Sequence, residues 1–264
     1  MARQKGIIKL SGSLGETTFY DSKDGAFAHL KVNITEKRRK TAPEYANTRR
    51  NAAEFGNASN AVKLIKDSIA QLVNIAHDYK MNNRLTTLMT KVVDKDVTPN
   101  REHQVVMGEN LGLLLGFNFN IKVRLRVAFN VPFATNINRV TGEVTITIAS
   151  FRPSSSIRAP KQATHFSIMS GASEIYFPTK DLRQRNEIYS QPIILDETFT
   201  QKMTIVHFLK PGTTGTIIIA IGLDFSEAKG NFYASAEQKQ PVNPLCIVDF
   251  DKGELEPLET VYSK

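Results

Sequence analysis

TIIIAIGLDF, residues 216–225, is apolar at almost every position. Strand side chains alternate between two faces, so a run apolar on both faces belongs to a strand covered on both sides. This segment is expected to be a central strand. Pro211-Gly212 breaks the chain before it. Strand patterns also lie at 142–150 (GEVTITIAS), 163–169 (ATHFSIM), 173–177 (SEIYF), 191–197 (QPIILDE), 201–209 (QKMTIVHFL) and 244–250 (PLCIVDF). Breaks at Arg152-Pro153, Pro178 and Pro241 separate them. Short strands between turn signals predict an antiparallel sandwich.

Just upstream, FNFNIKVRLRVAFNVPF (117–133) is apolar at every odd position. Its even positions are mostly Asn, Lys or Arg. That period predicts one long strand, or two meeting at a bend, with one buried and one wet face.

Before residue 98 the period is helical. Thr41-Ala42-Pro43-Glu44 has capping-box spacing, with Pro43 in the first turn. A helix is expected through TAPEYANTRRNAAEFGNAS (41–59), rich in small residues that let another backbone approach. A second helix from near Ser59 has one apolar stripe of Val62, Ile65, Ile69, Leu72, Val73 and Ala76. A third spans 83–95, with Leu85, Leu88, Met89, Val92 and Val93 inward, and Thr98-Pro99-Asn100 ends the pattern.

At the amino terminus, GIIKLSGSLGETTFYDSKDGAFAHLK (6–31) is a β-meander. Its strands would be Ile7–Leu10, Thr17–Tyr20 and Ala26–Val32, the last two joined by the hairpin signal Asp24-Gly25. The fold class is therefore α+β: an amino-terminal β-meander and helical segment over 1–105, then a mainly antiparallel β-sandwich with an acidic tail over 106–264. The boundary is placed within 98–112.

Composition narrows the function. The 264 residues are 41% hydrophobic and include 15 Phe, enough for a sizeable core. One cysteine, Cys246, forms neither an internal disulfide nor a cysteine metal site, and its apolar neighbours suit a buried thiol. The opening MARQKGIIKLSGS lacks a signal-peptide core, and no apolar run reaches the ~20 residues of a membrane span. The expected location is the cytoplasm, with export by another route left open. The net charge of +8 is uneven. Residues 1–50 hold 11 Lys and Arg against 5 Asp and Glu, whereas 249–264 hold 2 Lys against 5 acids. Two solvated ends account for this, and the alternative is that the ends attract each other within or between molecules.

No catalytic, metal or cofactor pattern emerges. Ser11–Glu16 lacks the lysine and following helix of a phosphate-binding loop. His29, His77, His103, His165 and His207 have no metal-site spacing, and His165 and His207 sit among apolar strand residues as structural histidines would. There is no GxSxG elbow, although a triad built from distant strands is recognised only by geometry. Asp249 and Asp251 have part of a calcium loop's spacing, but a solvated acidic tail explains them better. Lys37, Arg38, Arg39, Lys40, Arg49 and Arg50 are candidate contacts for nucleic acid or another polyanion, and Lys122, Arg124 and Arg126 could extend that surface. No base-reading motif accompanies them, so a solvated basic face explains them better.

The stretches MARQKGIIKLSGSLGETTFYDSKDGAF, NTRRNAAEFGNASNAVKLI, ATHFSIMSGASEIYF and IIIAIGLDF carry a resemblance. They are similar to a family of uncharacterised Bacteroidota proteins that open on the pattern MARQKGIIKL…G..G..TFY.SKDG. The resemblance covers most of the chain and implies a bacterial source, but no activity or site. The helix opening also looks distantly like basic segments of some phage-associated proteins.

The expectation is a non-enzymatic structural protein without a cofactor, its main partner another copy of itself. Ile7, Ile8, Leu10, Phe19 and Tyr20 are the candidate self-association residues, together with the small-residue helix. The alternative is a nucleic-acid-associated or phage-like structural protein using the basic half. A sugar- or peptide-binding sandwich, or a hydrolase with a spatially assembled site, ranks last.

Overall fold

The computed structural model describes residues 2–6, 8–22, 24–31, 34–96, 106, 108–229, 232–235 and 242–253. The chain forms two compact units, Met1–Arg50 and Asn51–Lys264. The change of period near residue 105 is thus a change of element type. It is not a boundary between compact units, as the range 98–112 had implied.

The larger unit is layered about β11 (Thr216–Lys229). β7 (His165–Tyr176) runs antiparallel along one edge of β11. The other edge carries β13 (Leu245–Asp251) and then β12 (Phe232–Ser235). β8 (Asp181–Tyr189) and the two-residue β9 (Ile193–Ile194) pair with the far edge of β7. The segments 163–169 and 173–177 are therefore one continuous strand, not two.

The two faces of this sheet bury different cores. Ile217, Ile219, Ile221, Leu223 and Phe225 face a second sheet of β5 (Phe133–Asn138), β6 (Glu143–Ile148) and β10 (Met203–Phe208), ordered β10-β6-β5. Val144, Ile146 and Ile148 of β6 meet them. On the opposite face, Ile218 and Ala220 pack with the helices α2 (Ala46–Ser68), α3 (Ala70–Ile75) and α4 (Met81–Asp94). Residues 216–225 are apolar on both faces because this strand lies between a helical layer and a second sheet. The α+β class holds, with the sandwich carrying helices on one outer face.

In the helical layer, Ala58, Ala61, Val62, Ile65, Ile69, Leu72 and Val73 are all buried at helical spacing. The α2–α3 junction rests on Gly171 of β7, where an added Cβ would lie 2.8 Å from Ile69 Cγ2 and 3.1 Å from Leu72 Cδ1. β8, too polar to be expected as a strand, ties the layers at its rim. Glu187 accepts the amide of Gln71 at 3.1 Å, and Arg185 donates to the Asp67 carbonyl at 3.0 Å.

The long strand expected over 117–133 does not form. Phe117, Phe119, Leu125, Phe129 and Val131 are buried, but Ile121 and Val127 are exposed. The chain turns instead through the short helix α5 (Leu125–Ala128). The asparagines are the cause. Asn118 donates to the Gly116 carbonyl at 2.8 Å and accepts the Leu125 amide at 2.9 Å. Asn120 accepts the Lys122 amide at 3.1 Å, and Asp78 accepts the Ile121 amide at 2.9 Å. These side chains take amides that a strand ladder would have used.

The capping box at Thr41 is also absent. α1 (Glu36–Thr41) ends there, capped at its start by Thr35, whose side chain accepts the Arg38 amide. Ala42, preceding Pro43, is extended at φ −72° and ψ 138°, the conformation that a following proline favours. A 3-10 turn, Pro43–Tyr45, leads into α2, which continues unbroken through Ser59 to Ser68. Thr41 donates to the Lys37 carbonyl at 2.9 Å, and Glu44 pairs with Arg38 at 3.0 Å.

Candidate functional site

The amino-terminal unit holds a four-stranded antiparallel sheet, ordered β1-β4-β3-β2. The strands are β1 (Ala2–Arg3), β2 (Gly12–Leu14), β3 (Thr17–Ser22) and β4 (Gly25–Leu30). Gly15 at φ 57° and Gly25 at φ 121° make the two tight reversals.

The first expected strand is corrected: the described residues among 6–11 form a loop. Gln4 closes it with its side-chain amide, accepting the Leu10 amide at 2.8 Å and donating to the Leu10 carbonyl at 3.2 Å. The Lys9 ammonium donates to the carbonyls of Gln4 and Gly6, each at 2.7 Å. A side chain thus imitates one strand partner, and residue 8 is left outside any ladder.

Of the five self-association candidates, Ile7 lies outside the described residues. Ile8 and Leu10 are exposed on the loop. Phe19 and Tyr20 are half-buried and fall on opposite faces of β3. Tyr20 stacks on Phe27 with centroids 5.8 Å apart and meets His29 edge-on at 5.5 Å. The other face carries Phe19, Ala28 and the row Leu14, Thr17, Leu30, which pair across three strands. Leu14 is 73% exposed and Leu30 is 69% exposed. Among the described residues of this unit, Ala26 is the single buried hydrophobic side chain. Leu14 and Leu30 were not singled out from the sequence; their shared row depends on strand register.

The basic residues are partly engaged near home. Lys40 pairs with Glu36 at 2.7 Å and Arg38 with Glu44 at 3.0 Å. A hydrogen bond from its own backbone amide, then one from the Arg38 side chain, hold the Glu44 carboxyl below its ordinary range. Arg49 donates to the carbonyls of Arg39 and Ala42, both at 3.0 Å, closing the end of α1. Arg50 reaches Asn47 at 3.5 Å. Lys37 and Arg39 are exposed.

In the larger unit one side-chain chain has triad connectivity. His207 Nε2 lies 3.0 Å from Ser170 Oγ, and His207 Nδ1 lies 2.8 Å from Asn186 Oδ1. The three come from β7, β8 and β10, so no sequence motif could have announced them. Ser170 and His207 are fully buried between the sheets. Burial lowers the imidazole pKa to about 4, which makes it a poor general base at neutral pH. The arrangement serves as a satisfied polar pin through an apolar layer.

Other polar groups are committed to the fold. Asp249 accepts from the Thr135 hydroxyl, and Asp251 pairs with Arg139 at 3.0 Å. Both lie in β13, which corrects the calcium-loop and solvated-tail readings for these two residues. Buried Glu174 accepts the Gly215 amide at 2.9 Å and the Gln184 side chain at 2.6 Å. His77 bonds the Val73 carbonyl at 2.7 Å, His165 bonds Thr164 at 2.8 Å, and His103 lies outside the described residues. Among the described residues no three His, Cys, Asp or Glu converge as a metal site, and no helix is long and apolar enough to cross a membrane. The chain matches no family model, no curated protein and no solved structure.

Proposed function

We propose that this is a non-enzymatic structural protein that assembles with copies of itself through its amino-terminal sheet. The observation that carries the reading is the sheet's lack of a core: a four-stranded sheet with Ala26 as its one buried apolar side chain, beside exposed Leu14 and Leu30. A sheet this small needs an apolar face covered to be stable in water. Its short edge strands leave backbone groups that a second copy can pair with. The small-residue helix adds less, because Ala58 and Ala61 are used in the chain's own core.

Light scattering of the full chain over a wide concentration range tests this. The mass should exceed the 29.5 kDa of one chain. Leu14→Lys combined with Leu30→Lys should return it to the monomer. A wild type that stays monomeric at the highest concentration overturns the reading.

The second reading, binding of nucleic acid or another polyanion, draws support from Lys37 and Arg39, exposed beside the paired Arg38 and Lys40. Exposed pairs of this kind are weak and yield to phosphate. Salt-sensitive DNA or RNA binding that falls when Lys37, Arg38, Arg39 and Lys40 become Ala would favour it.

A further inference from the structure

The asparagine-turned segment has a second consequence in the larger unit. α5 is set by the Asn118 side chain, which accepts the Leu125 amide at 2.9 Å. The chain then pairs with a later segment: Arg158 N–H donates to the Ala128 carbonyl, and Asn130 N–H to the Ser156 carbonyl, each at 2.9 Å. Between these segments lies a hollow of about 560 Å³, a size that suits a small ligand.

Its lining has two characters. Ile121 and Val127 present large apolar side chains, 43% and 52% exposed, and Ala159 and Pro160 continue that surface. Lys122, Arg124 and Arg158 supply three cations, and among the described residues no acidic side chain lines the hollow. The described ion pairs involve neither Arg124 nor Arg158. Like charges gathered over a low-dielectric wall concentrate the field there and draw an anion. Guanidiniums match the geometry of carboxylate and phosphate oxygens.

We propose that this hollow binds a small amphipathic oxyanion, an alkyl carboxylate or alkyl phosphate. The head group meets Arg124 and Arg158, and the apolar body lies on Ile121, Val127 and Pro160. An apolar wall alone would take a neutral alcohol as readily, whereas a cationic rim alone would take inorganic phosphate. The combination selects molecules that carry both parts.

Calorimetric titration of the full chain with decanoate, decyl phosphate and decanol tests the site. At least one anion is expected to bind roughly tenfold tighter than decanol or more, as a charge-assisted contact provides; a smaller preference overturns the proposal. The tighter anion names the head group. Arg124→Gln with Arg158→Gln should remove the preference while leaving the melting temperature unchanged, and a preference that survives overturns the assignment. Val127→Trp sets a bulky ring over the apolar wall, narrowing the hollow, and keeps both charges. It should weaken anion binding by roughly tenfold or more, and unaltered binding places the ligand elsewhere and overturns the proposal.

Discussion

His207 Nδ1 and Asn186 Oδ1 lie 2.8 Å apart, a hydrogen bond that joins β10 of one sheet to β8 of the other. An amide oxygen only accepts, so Nδ1 carries the proton and Nε2 accepts from the Ser170 hydroxyl. The neutral ring is fully satisfied inside an apolar layer.

Acid should therefore loosen the sandwich through His207. Its pKa falls from an ordinary 6.5 to about 4 on burial. Between those values the unfolded chain binds the proton and the folded one does not. The share of stability linked to His207 is complete above 6.5 and is lost at about 1.4 kcal/mol per pH unit below it, a total loss of about 3 kcal/mol near pH 4. Urea unfolding across this range should show that slope. His207→Leu should be less stable at neutral pH, because Ser170 and Asn186 lose a partner, but should lack the histidine's share of the slope. Identical slopes in both proteins would reject the assignment.

Arg84 is expected to hold the turn that replaces the strand over 117–133. It donates to the carbonyls of Asn118 at 2.8 Å and Phe119 at 3.1 Å, and pairs with buried Asp78. Burial alone would push the Asp78 carboxyl up. The amide of Ile121, the Arg84 guanidinium and the amide of Lys80 outweigh it and hold the pKa below 3.8. Arg84→Met leaves that charge buried and unpaired, at a cost of about 3 kcal/mol or more in chemical denaturation.

Gly222→Ala should be costly although no turn is involved. A Cβ there would sit 2.5 Å from the Pro244 carbonyl oxygen, where β11 meets β13, and against the end of Met169. The backbone oxygen cannot step aside, so a loss of about 1–3 kcal/mol is expected by thermal or urea unfolding.

Cys246 should be inert in the folded chain. Burial raises its thiol pKa to about 11, against the lowering field of Arg126. Iodoacetamide at about pH 8 should modify it at least roughly tenfold more slowly than after unfolding in urea. Rapid native modification would show that β13 opens.

Residues 216–225 could be read correctly from their own chemistry, because an apolar run on both faces has few other uses. The stripe of Val62, Ile65, Ile69 and Leu72 was legible for the same reason. β8 was not: DLRQRNEIY lacks an apolar alternation, and its Arg183, Arg185 and Glu187 find partners only in the assembled layers. Residues 117–133 misled in the other direction, since the period of two was present but Asn118, Asn120 and Asp78 drew the backbone amides away.

The sequence by itself determined the α+β class, the central strand and the helical stripe. These depend on periodicity, a local property that burial reads directly. The tertiary structure decided which Leu side chains share a row in the amino-terminal sheet and which serine meets His207. It also decided that Arg124 and Arg158 border one hollow. Each of those facts is a distance between residues far apart in the chain, set by strand register and packing that no local pattern encodes.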